Sequence, residues 1–341
     1  MRKWLSAVAA LTCAMAPAGA GAAEKIVWDW AIYGAPRAVT AGMEHYAKVA
    51  AEKSGGNFEI KLHYGESIAP AKETLDSLKV GAIHGGLIAF GYTPGKVPLH
   101  NVIDLPYLPI PDLVALEKVM ETFYQYEPAK AELARWNAVA LSGVLLPQYE
   151  FMGTGKAPKT LDDWKGMRVR ALGGTGEAMR LLGAVPTSVP APEVYNGLER
   201  GMFDAASFPF SYAFGAYRLH EVSKWYTYGL NLGVIHNAVT LNKAEFDKLP
   251  AEYRQILIDA KPGSYQALRD AYAEADAKWL PLFEKAGLER LAITPEMRAA
   301  FQEKAAQPVW DKWVADMEAK GLPGRQTLDL VLEAAKKAGG A

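Results

Sequence analysis

Residues 161–210 read LDDWKGMRVRALGGTGEAMRLLGAVPTSVPAPEVYNGLERGMFDAASFPF, and this stretch decides the fold. Short segments in which apolar and polar residues alternate, as in strands, are separated by segments with helical spacing. Strands that alternate with helices of this length predict an α/β layer structure. The predicted order is strand 167–172, helix 176–182, strand 185–189, helix 192–200 and strand 203–208.

The first of these strands carries two arginines on one face. In residues 167–171 (MRVRA), the two-residue period places the apolar side chains on one side and Arg168 and Arg170 on the other. A guanidinium at the carboxyl end of a strand faces the ligand crevice of an open α/β sheet, where it can hold a carboxylate by two parallel hydrogen bonds. From the residues alone, a solvated side of a half-exposed strand is an equally good interpretation.

The same pattern extends outward from this stretch. Glycine and proline cluster at 146–160, where we place a domain boundary. Before it, strands are predicted at 25–32, 58–64, 83–90 and 139–146, with helices at 38–54, 70–80 and 112–135. After 210, a strand is predicted at 233–242 and helices at 250–260, 264–286, 295–318 and 325–338.

The N-terminus has the layout of a secretory signal peptide. Residues 1–3 are basic at two positions, residues 4–16 are largely apolar, and 17–23 are mostly small. We expect residues 1–23 to be removed. Cys13 is the only cysteine, so the mature chain would hold no disulfide and no cysteine-based metal site. An exported chain without disulfides indicates a bacterial periplasm.

Length and charge exclude several classes of protein. The chain has 341 residues, 50% of them hydrophobic, which is enough for about two domains. Lys and Arg total 37 against 38 Asp and Glu, so the chain lacks the positive excess of a nucleic-acid binder. It is also too apolar for a disordered protein. A globular protein with a full core remains.

The sequence contains none of the common catalytic motifs. It lacks HExxH, the G-x-S-x-G nucleophile elbow and the phosphate loop GxxxxGK[ST], and its six histidines show no metal-ligand spacing. Residues 173–176 (GGTG) follow a strand and open a helix, where an anion can bind, although a tight turn explains them equally well. An exported chain of this kind is most simply a binding protein with a cleft between two domains.

The stretch at 161–210 resembles the solute-binding proteins of TRAP transporters, the DctP-like family of ATP-independent uptake systems. Weaker similarity on both sides covers nearly the whole mature chain. The resemblance implies an α/β, two-domain periplasmic binding protein fold with a ligand cleft between the domains and a long domain-spanning helix. The implied division is 24–145 plus 232–265 for domain I, 146–231 plus 287–341 for domain II, and 266–286 for the spanning helix. The shared pattern runs through Asp163, 165–167, 169–170, 182–184, Pro186, 193–195, Leu198, Gly201 and Asp204.

The resemblance also implies a binding site. In the family, the arginine at the position of Arg170 holds the ligand carboxylate. Many relatives have an asparagine, a polar ligand contact, where this chain has Phe208. Because an aromatic ring would leave a second carboxylate or a polyol unpaired, we expect a monocarboxylate with an apolar body, such as an aromatic one. For any single aromatic residue, ordinary core packing is an equally good interpretation. The expected binding residues are Arg170, Phe208, Phe210, Tyr33, Tyr149, Ser207, Tyr212, Trp30 and Lys72.

The implied function is capture of a small organic acid in the periplasm and its delivery to TRAP membrane permease subunits. This is transport without a bond-making step, so we expect no enzyme activity, no cofactor and no metal. We also expect a monomer that binds no nucleic acid. Two alternatives use the same cleft: a periplasmic hydrolase with an oxyanion or phosphate site at 173–176, and a ligand-sensing subunit that serves a receptor.

Overall fold

A computed structural model of the chain describes residues 25–339 and arranges them in two lobes, each built on one sheet. The predicted signal peptide at 1–23 lies outside the described residues. The strands are β1 (Ile26–Ala31), β2 (Phe58–His63), β3 (Gly85–Ala89), β4 (Ala138–Val144), β5 (Tyr149–Gly153), β6 (Arg168–Arg170), β7 (Val185–Thr187), β8 (Ala205–Pro209), β9 (Trp225–Tyr228), β10 (Asn237–Asn242) and β11 (Glu289–Ala292).

Helices cover both sheets. Within residues 25–339, no helix is both long enough and apolar enough to cross a membrane. The α-helices are α1 (Ala41–Lys53), α2 (Thr74–Lys79), α3 (Leu113–Phe123), α4 (Glu127–Ala134), α5 (Gly173–Leu181), α6 (Val194–Glu199), α7 (Phe210–Ala216), α8 (Lys243–Lys248), α9 (Ala251–Lys285), α10 (Pro295–Glu318) and α11 (Gly324–Ala338).

The first lobe is built on a mixed sheet with the order β2-β1-β3-β10-β4. β1 is parallel to β2 and β3, which requires the crossover helices α1 and α2. β10 is antiparallel to β3 and β4, and Asn237 pairs with Ala89. Every residue of the central strand β3 is buried, as expected for a strand covered on both faces.

The second lobe is built on a sheet with the order β11-β9-β5-β8-β6-β7. β6 lies parallel to β7 and β8, whereas β5 is antiparallel to β8 and β9. β8 is buried along its whole length. The carboxyl ends of β6 and β8 therefore lie at the same edge of this sheet.

The helix α9 connects the two lobes. It packs against α1 and β4 in the first lobe and against α7 in the second. The sequence predicted two helices, 250–260 and 264–286, with Pro262 between them, a residue that usually ends or kinks a helix. The structure has one helix over Ala251–Lys285 instead, and Tyr253 before Pro262 and Tyr265 after it are both buried.

The last two helices contact different lobes. α10 packs against α5 of the second lobe, whereas α11 packs against α3 of the first lobe. The strands of the first sheet lie within 24–145 plus 232–265, and those of the second within 146–231 plus 287–341. The domain boundaries themselves, including the assignment of the C-terminal helix to domain II, stay a prediction.

Candidate ligand-binding site

The carboxyl ends of parallel strands from both sheets meet at the seam, the surface where the two lobes touch. In the first lobe, β1 and β3 end there, and Tyr33 and Tyr92 follow them. In the second lobe, β6 ends at Arg170, and Phe208 lies at the end of β8. Ligands of open α/β sheets bind outside the carboxyl ends of the strands. The seam therefore contains the expected position for a ligand in both lobes.

These side chains surround a small cavity of about 20 Å³. A space of that size is just large enough for one water molecule. Aromatic rings and two guanidiniums make up most of the wall. The lining residues are Tyr33, Arg37, Tyr92, Leu146, Tyr149, Arg170, Ala191, Phe208, Pro209, Tyr212, Tyr217 and Asn237.

Arg170 is buried in the wall of this cavity without a carboxylate partner. Its side chain is only 1% exposed, because strand alternation turns Val169 into the core and Arg170 toward the seam. Among residues 25–339, no Asp or Glu oxygen lies within 4 Å of it. A buried charge is costly unless an opposite charge pairs with it. The site therefore favours an anion.

Backbone carbonyls hold the Arg170 guanidinium in one orientation. Nε and Nη2 both donate to the Val189 carbonyl at 3.0 Å, and Nη1 donates to the Ser207 carbonyl at 2.9 Å. The planar group also lies over the Phe208 ring, 4.5 Å from its centroid. A guanidinium has five N–H donors, so two remain, one on each terminal nitrogen. That pair matches the two oxygens of a carboxylate.

Tyrosine hydroxyls form the rest of the polar wall. Burial raises the pKa of Tyr33, Tyr149 and Tyr212 well above the usual range, and raises the pKa of Tyr217 to about 12. These groups are therefore neutral hydroxyls that can donate to an anion. Asn237 Nδ2 donates to the Tyr33 hydroxyl at 2.9 Å, which leaves the proton of that hydroxyl free for another acceptor.

The structure brings five of the predicted residues to the cavity: Arg170, Phe208, Tyr33, Tyr149 and Tyr212. Ser207 contributes through its backbone, since its carbonyl accepts from Arg170. The Ser207 hydroxyl does not line the cavity and is buried without a hydrogen-bond partner.

Three other predicted residues lie elsewhere. Phe210 begins α7, and its ring packs against Phe214, Tyr226 and Tyr228. Trp30 is fully buried in the first lobe, where Gly85 leaves the space that its indole fills. Lys72 is exposed on the surface. The sequence placed Trp30 and Phe210 near strand ends correctly, but side-chain direction sends both rings into packing away from the cavity.

Sequence reasoning missed seven lining residues, of which four carry polar side chains: Arg37, Tyr92, Tyr217 and Asn237. Arg37 offered a usable signal, since it follows the first strand through a Gly-Ala-Pro turn and so stands beyond a strand end, as Arg170 stands at one. The other three have no motif around them. They reach the cavity only through the pairing of β10 with β3 and the packing of α7.

The glycine turn at 173–176 is faced by an acidic side chain of the chain itself. A Cβ atom on Gly173 would lie 2.7 Å from Asp104 Oδ2, so the carboxyl group sits against the start of α5. Asp104 accepts hydrogen bonds from Asn101 Nδ2 and His236 N, and burial raises its pKa to about 7. This end of the helix does not fit a phosphate or an oxyanion, so the hydrolase alternative gains no support.

A larger groove of about 340 Å³ opens beside that turn. Four of its five charged side chains are paired with one another, and the fifth, Lys320, is exposed. Arg180 lies 3.6 Å from Glu177, and Lys312 lies 2.6 Å from Asp316. Unlike the cavity at Arg170, the groove presents no buried charge that requires a ligand.

Comparison with known families decides the identity of the chain. The sequence model of the family described as bacterial extracellular solute-binding protein, family 7 (DctP), matches residues 34–316. The chain belongs to this family. The resemblance inferred from residues 161–210 is confirmed, and so is the two-domain α/β binding-protein fold.

Individual relatives agree with this assignment. The family 7 protein is 30% identical over 289 residues to the C4-dicarboxylate-binding periplasmic protein DctP of Rhodobacter capsulatus, covering 82% of this chain and 84% of that one. It is 27% identical over 283 residues to the 2,3-diketo-L-gulonate-binding periplasmic protein YiaO of Escherichia coli, with coverages of 78% and 80%.

A solved structure shows the same fold. A TRAP solute-binding protein from Rhodoferax ferrireducens, in complex with copurified benzoate, matches the family 7 protein with a TM-score of 0.83 at 22% identity. The match covers 92% of this chain and 99% of that one. At this identity the similarity shows only that the two proteins share a fold.

Proposed function

We propose that this protein is the periplasmic solute-binding subunit of a TRAP transporter, which captures a small organic acid between its lobes and delivers it to the membrane permease as a monomer. The observation that carries the proposal is Arg170, a buried guanidinium in the cavity wall that no carboxylate of residues 25–339 pairs with and that keeps two N–H groups unused. No bond is made or broken in this function.

The carboxylate is the part of the solute that the site recognises most strongly. Each hydrogen bond from Arg170 to a charged oxygen contributes about 1.5–3 kcal/mol. The named ligands of the relatives, a C4-dicarboxylate, 2,3-diketo-L-gulonate and benzoate, are all carboxylates. The shared feature of these ligands is therefore the group that Arg170 is arranged to bind.

The body of the solute contacts an apolar, aromatic wall. Phe208 lies beneath the guanidinium, and the rings of Tyr33, Tyr149 and Tyr212 line the same space. A polar body would lose its hydration against Phe208 without a hydrogen bond in return. We therefore favour a single carboxylate at Arg170 attached to an apolar or aromatic body.

Binding requires the lobes to part and close again. A cavity of about 20 Å³ is smaller than any organic acid, so a solute enters only when the lobes separate or the lining side chains move. Because residues from both lobes line the cavity, the complete set of contacts forms only after closure. The acid therefore selects the closed arrangement, which is the form the permease receives.

A screen of carboxylic acids against their uncharged amides tests this proposal. The purified chain lacking residues 1–23 is screened by thermal shift with benzoate, phenylacetate, pyruvate, hexanoate and succinate, each beside its amide. Hits are then titrated calorimetrically. At least one acid should bind while its amide does not, because only the anion compensates Arg170. Equal binding of acids and amides, or no binding by any acid, contradicts the proposed function.

A further inference from the structure

A second guanidinium, that of Arg37, lies in the wall of the same cavity, on the first lobe. Its Nη1 donates to the carbonyls of Tyr33 and Ala35, both at 2.8 Å. Its Nε is buried without a hydrogen-bond partner, and within residues 25–339 no Asp or Glu oxygen lies within 4 Å of the group. Unlike an amide, a guanidinium carries donors only, so the orphaned Nε cannot be satisfied by a different assignment of its atoms.

Aromatic rings separate Arg37 from Arg170. The Arg170 guanidinium lies 4.5 Å from the Phe208 ring, Phe208 lies 5.4 Å from the Tyr217 ring, and Arg37 lies 5.4 Å from Tyr217 on the first-lobe side. The two cations therefore flank one aromatic pair. A solute whose carboxylate binds Arg170, and whose body lies along these rings, points its far end toward Arg37.

The two arginines differ in what they need from a ligand. Arg170 is fully buried and unpaired, so it needs a full negative charge. Arg37 is only half-buried, and it is partly compensated by two carbonyls and by the faces of Tyr33 and Tyr217. A neutral oxygen is sufficient for Arg37, although an anionic oxygen would also fit.

We propose that the solute carries a second oxygen acceptor at the end remote from its carboxylate, and that Arg37 binds it. The inference rests on the proposed function, since it takes the carboxylate at Arg170 as given. It names the solute as an acid with two polar ends and an apolar middle. Arg37 then acts as the specificity-determining residue of the first lobe, because it contacts the solute only when the lobes close.

Matched acids that differ only in the second oxygen test this inference. The aromatic series is benzoate, 3-hydroxybenzoate and isophthalate. The aliphatic series is hexanoate, 6-hydroxyhexanoate and adipate. Calorimetric affinities are measured for the wild type, Arg37→Met, Arg37→Lys and the control Arg218→Met. Arg218 is an exposed arginine that pairs with Glu221 and lies outside the cavity lining.

In the wild type, an acid with the second oxygen should bind about ten- to a hundredfold more tightly than its parent, benzoate or hexanoate. This is the usual contribution of a hydrogen bond to a charged group. Arg37→Met should remove this advantage and leave the parent acid within about threefold, Arg37→Lys should keep part of it, and Arg218→Met should change nothing. A gain from a hydroxyl supports the inference with a neutral far end. A gain from a second carboxylate supports it with an anionic far end, and replaces the single carboxylate favoured above by two.

Two results would overturn it. If Arg37→Met weakens binding of the parent acid and of the oxygenated acid by the same factor, Arg37 does not bind a second group of the solute. If the wild type prefers the parent acids, the solute has no second acceptor. Failure of every acid to bind the wild type is a different outcome, because it removes the proposed function itself and this inference with it. Thermal melting of each variant shows whether it is folded. If Arg37→Met is not folded, Arg37→Lys takes its place in the comparison.

Discussion

The hydroxyl of Tyr92 accepts a hydrogen bond of 2.9 Å from the backbone nitrogen of Ala191, and this bond joins the two lobes beside the cavity. Tyr92 follows the end of β3 in the first lobe, whereas Ala191 precedes α6 in the second. Both residues are buried. The hydroxyl proton is not used by this bond, so Tyr92 can donate to a solute while its oxygen holds the lobes together.

Replacing Tyr92 by Phe should weaken solute binding. In the closed arrangement the Ala191 N–H would be buried without an acceptor, which costs about 1–3 kcal/mol, whereas in an open arrangement water can bind it. The affinity for the acid identified by screening should therefore fall about five- to 150-fold by calorimetry. Unchanged affinity would show that the bond does not contribute to closure.

Tyr124→Phe is the matched control for that variant. The Tyr124 hydroxyl is also in a buried hydrogen bond, at 2.7 Å from His236 Nε2, but both partners belong to the first lobe. Its loss should lower the thermal midpoint without changing affinity. An equal loss of affinity in both variants would mean that general destabilisation, and not the contact between lobes, explains the result.

Phe208→Asn should shift the preference of the site toward polar solutes. The change removes an apolar contact and the ring beneath Arg170, which together are worth about 1–3 kcal/mol to a benzoate-sized acid. Affinity for benzoate should fall about five- to 150-fold relative to that for succinate. Phe210→Asn, two residues along and outside the cavity lining, should leave this ratio unchanged. A shift of similar size in both variants would remove Phe208 from the ligand contacts.

Asp104 should make the stability of the protein fall as the pH rises from about 4 to about 7. Burial raises the pKa of its carboxyl group from 3.8 to about 7, so in this interval the folded chain binds a proton that the unfolded chain has lost. The contribution to the free energy of unfolding is at most about 1.4 kcal/mol per pH unit. Asp104→Asn removes the titrating group, so it should flatten the slope of unfolding free energy against pH, measured by urea unfolding at several pH values. The buried hydrogen bond is kept, because Asn101 can turn its amide to accept from the new side chain.

Glu150 provides a check on that measurement. Burial also raises its pKa to about 7, although it accepts from the Thr227 hydroxyl and from the nitrogens of Gly229 and Asn231. It remains in the Asp104→Asn protein, so a reduced slope of the same sign should persist there. An identical slope in the wild type and the variant would show that Asp104 is ionised at low pH in the folded chain.

The strand and helix pattern was readable best where the ends of an element carry clear signals. The helix at 295–318 was predicted at its true bounds because Thr294 caps it and Pro295 begins it. β5 was not predicted, because it lacks alternation, like β3 and β8, and in addition lies within 146–160, where glycine and proline indicated a domain boundary. The long helix α9 was divided at Pro262, since local sequence does not report the packing on both lobes that keeps the helix continuous.

The candidate site was predicted in part, from a strand end and from the family resemblance. Arg170 was inferred from its place at the end of a predicted strand together with the resemblance, Phe208 from the resemblance, and both line the cavity. Trp30 and Phe210 show the limit of this reasoning, because position near a strand end does not fix which way a ring points. Tyr217 and Asn237 are brought in by contacts between distant segments, which a single sequence does not display.

The most direct measurement is calorimetric titration of the tightest acid from the screen into the wild type, Arg170→Lys and Arg170→Met, with circular dichroism to show that each is folded. Arg170→Lys keeps the charge but loses the paired donors, so its affinity should fall at least about tenfold. Arg170→Met should bind no acid detectably. Wild-type affinity in a folded Arg170→Met protein would contradict the account, because the buried guanidinium would then not be what holds the solute.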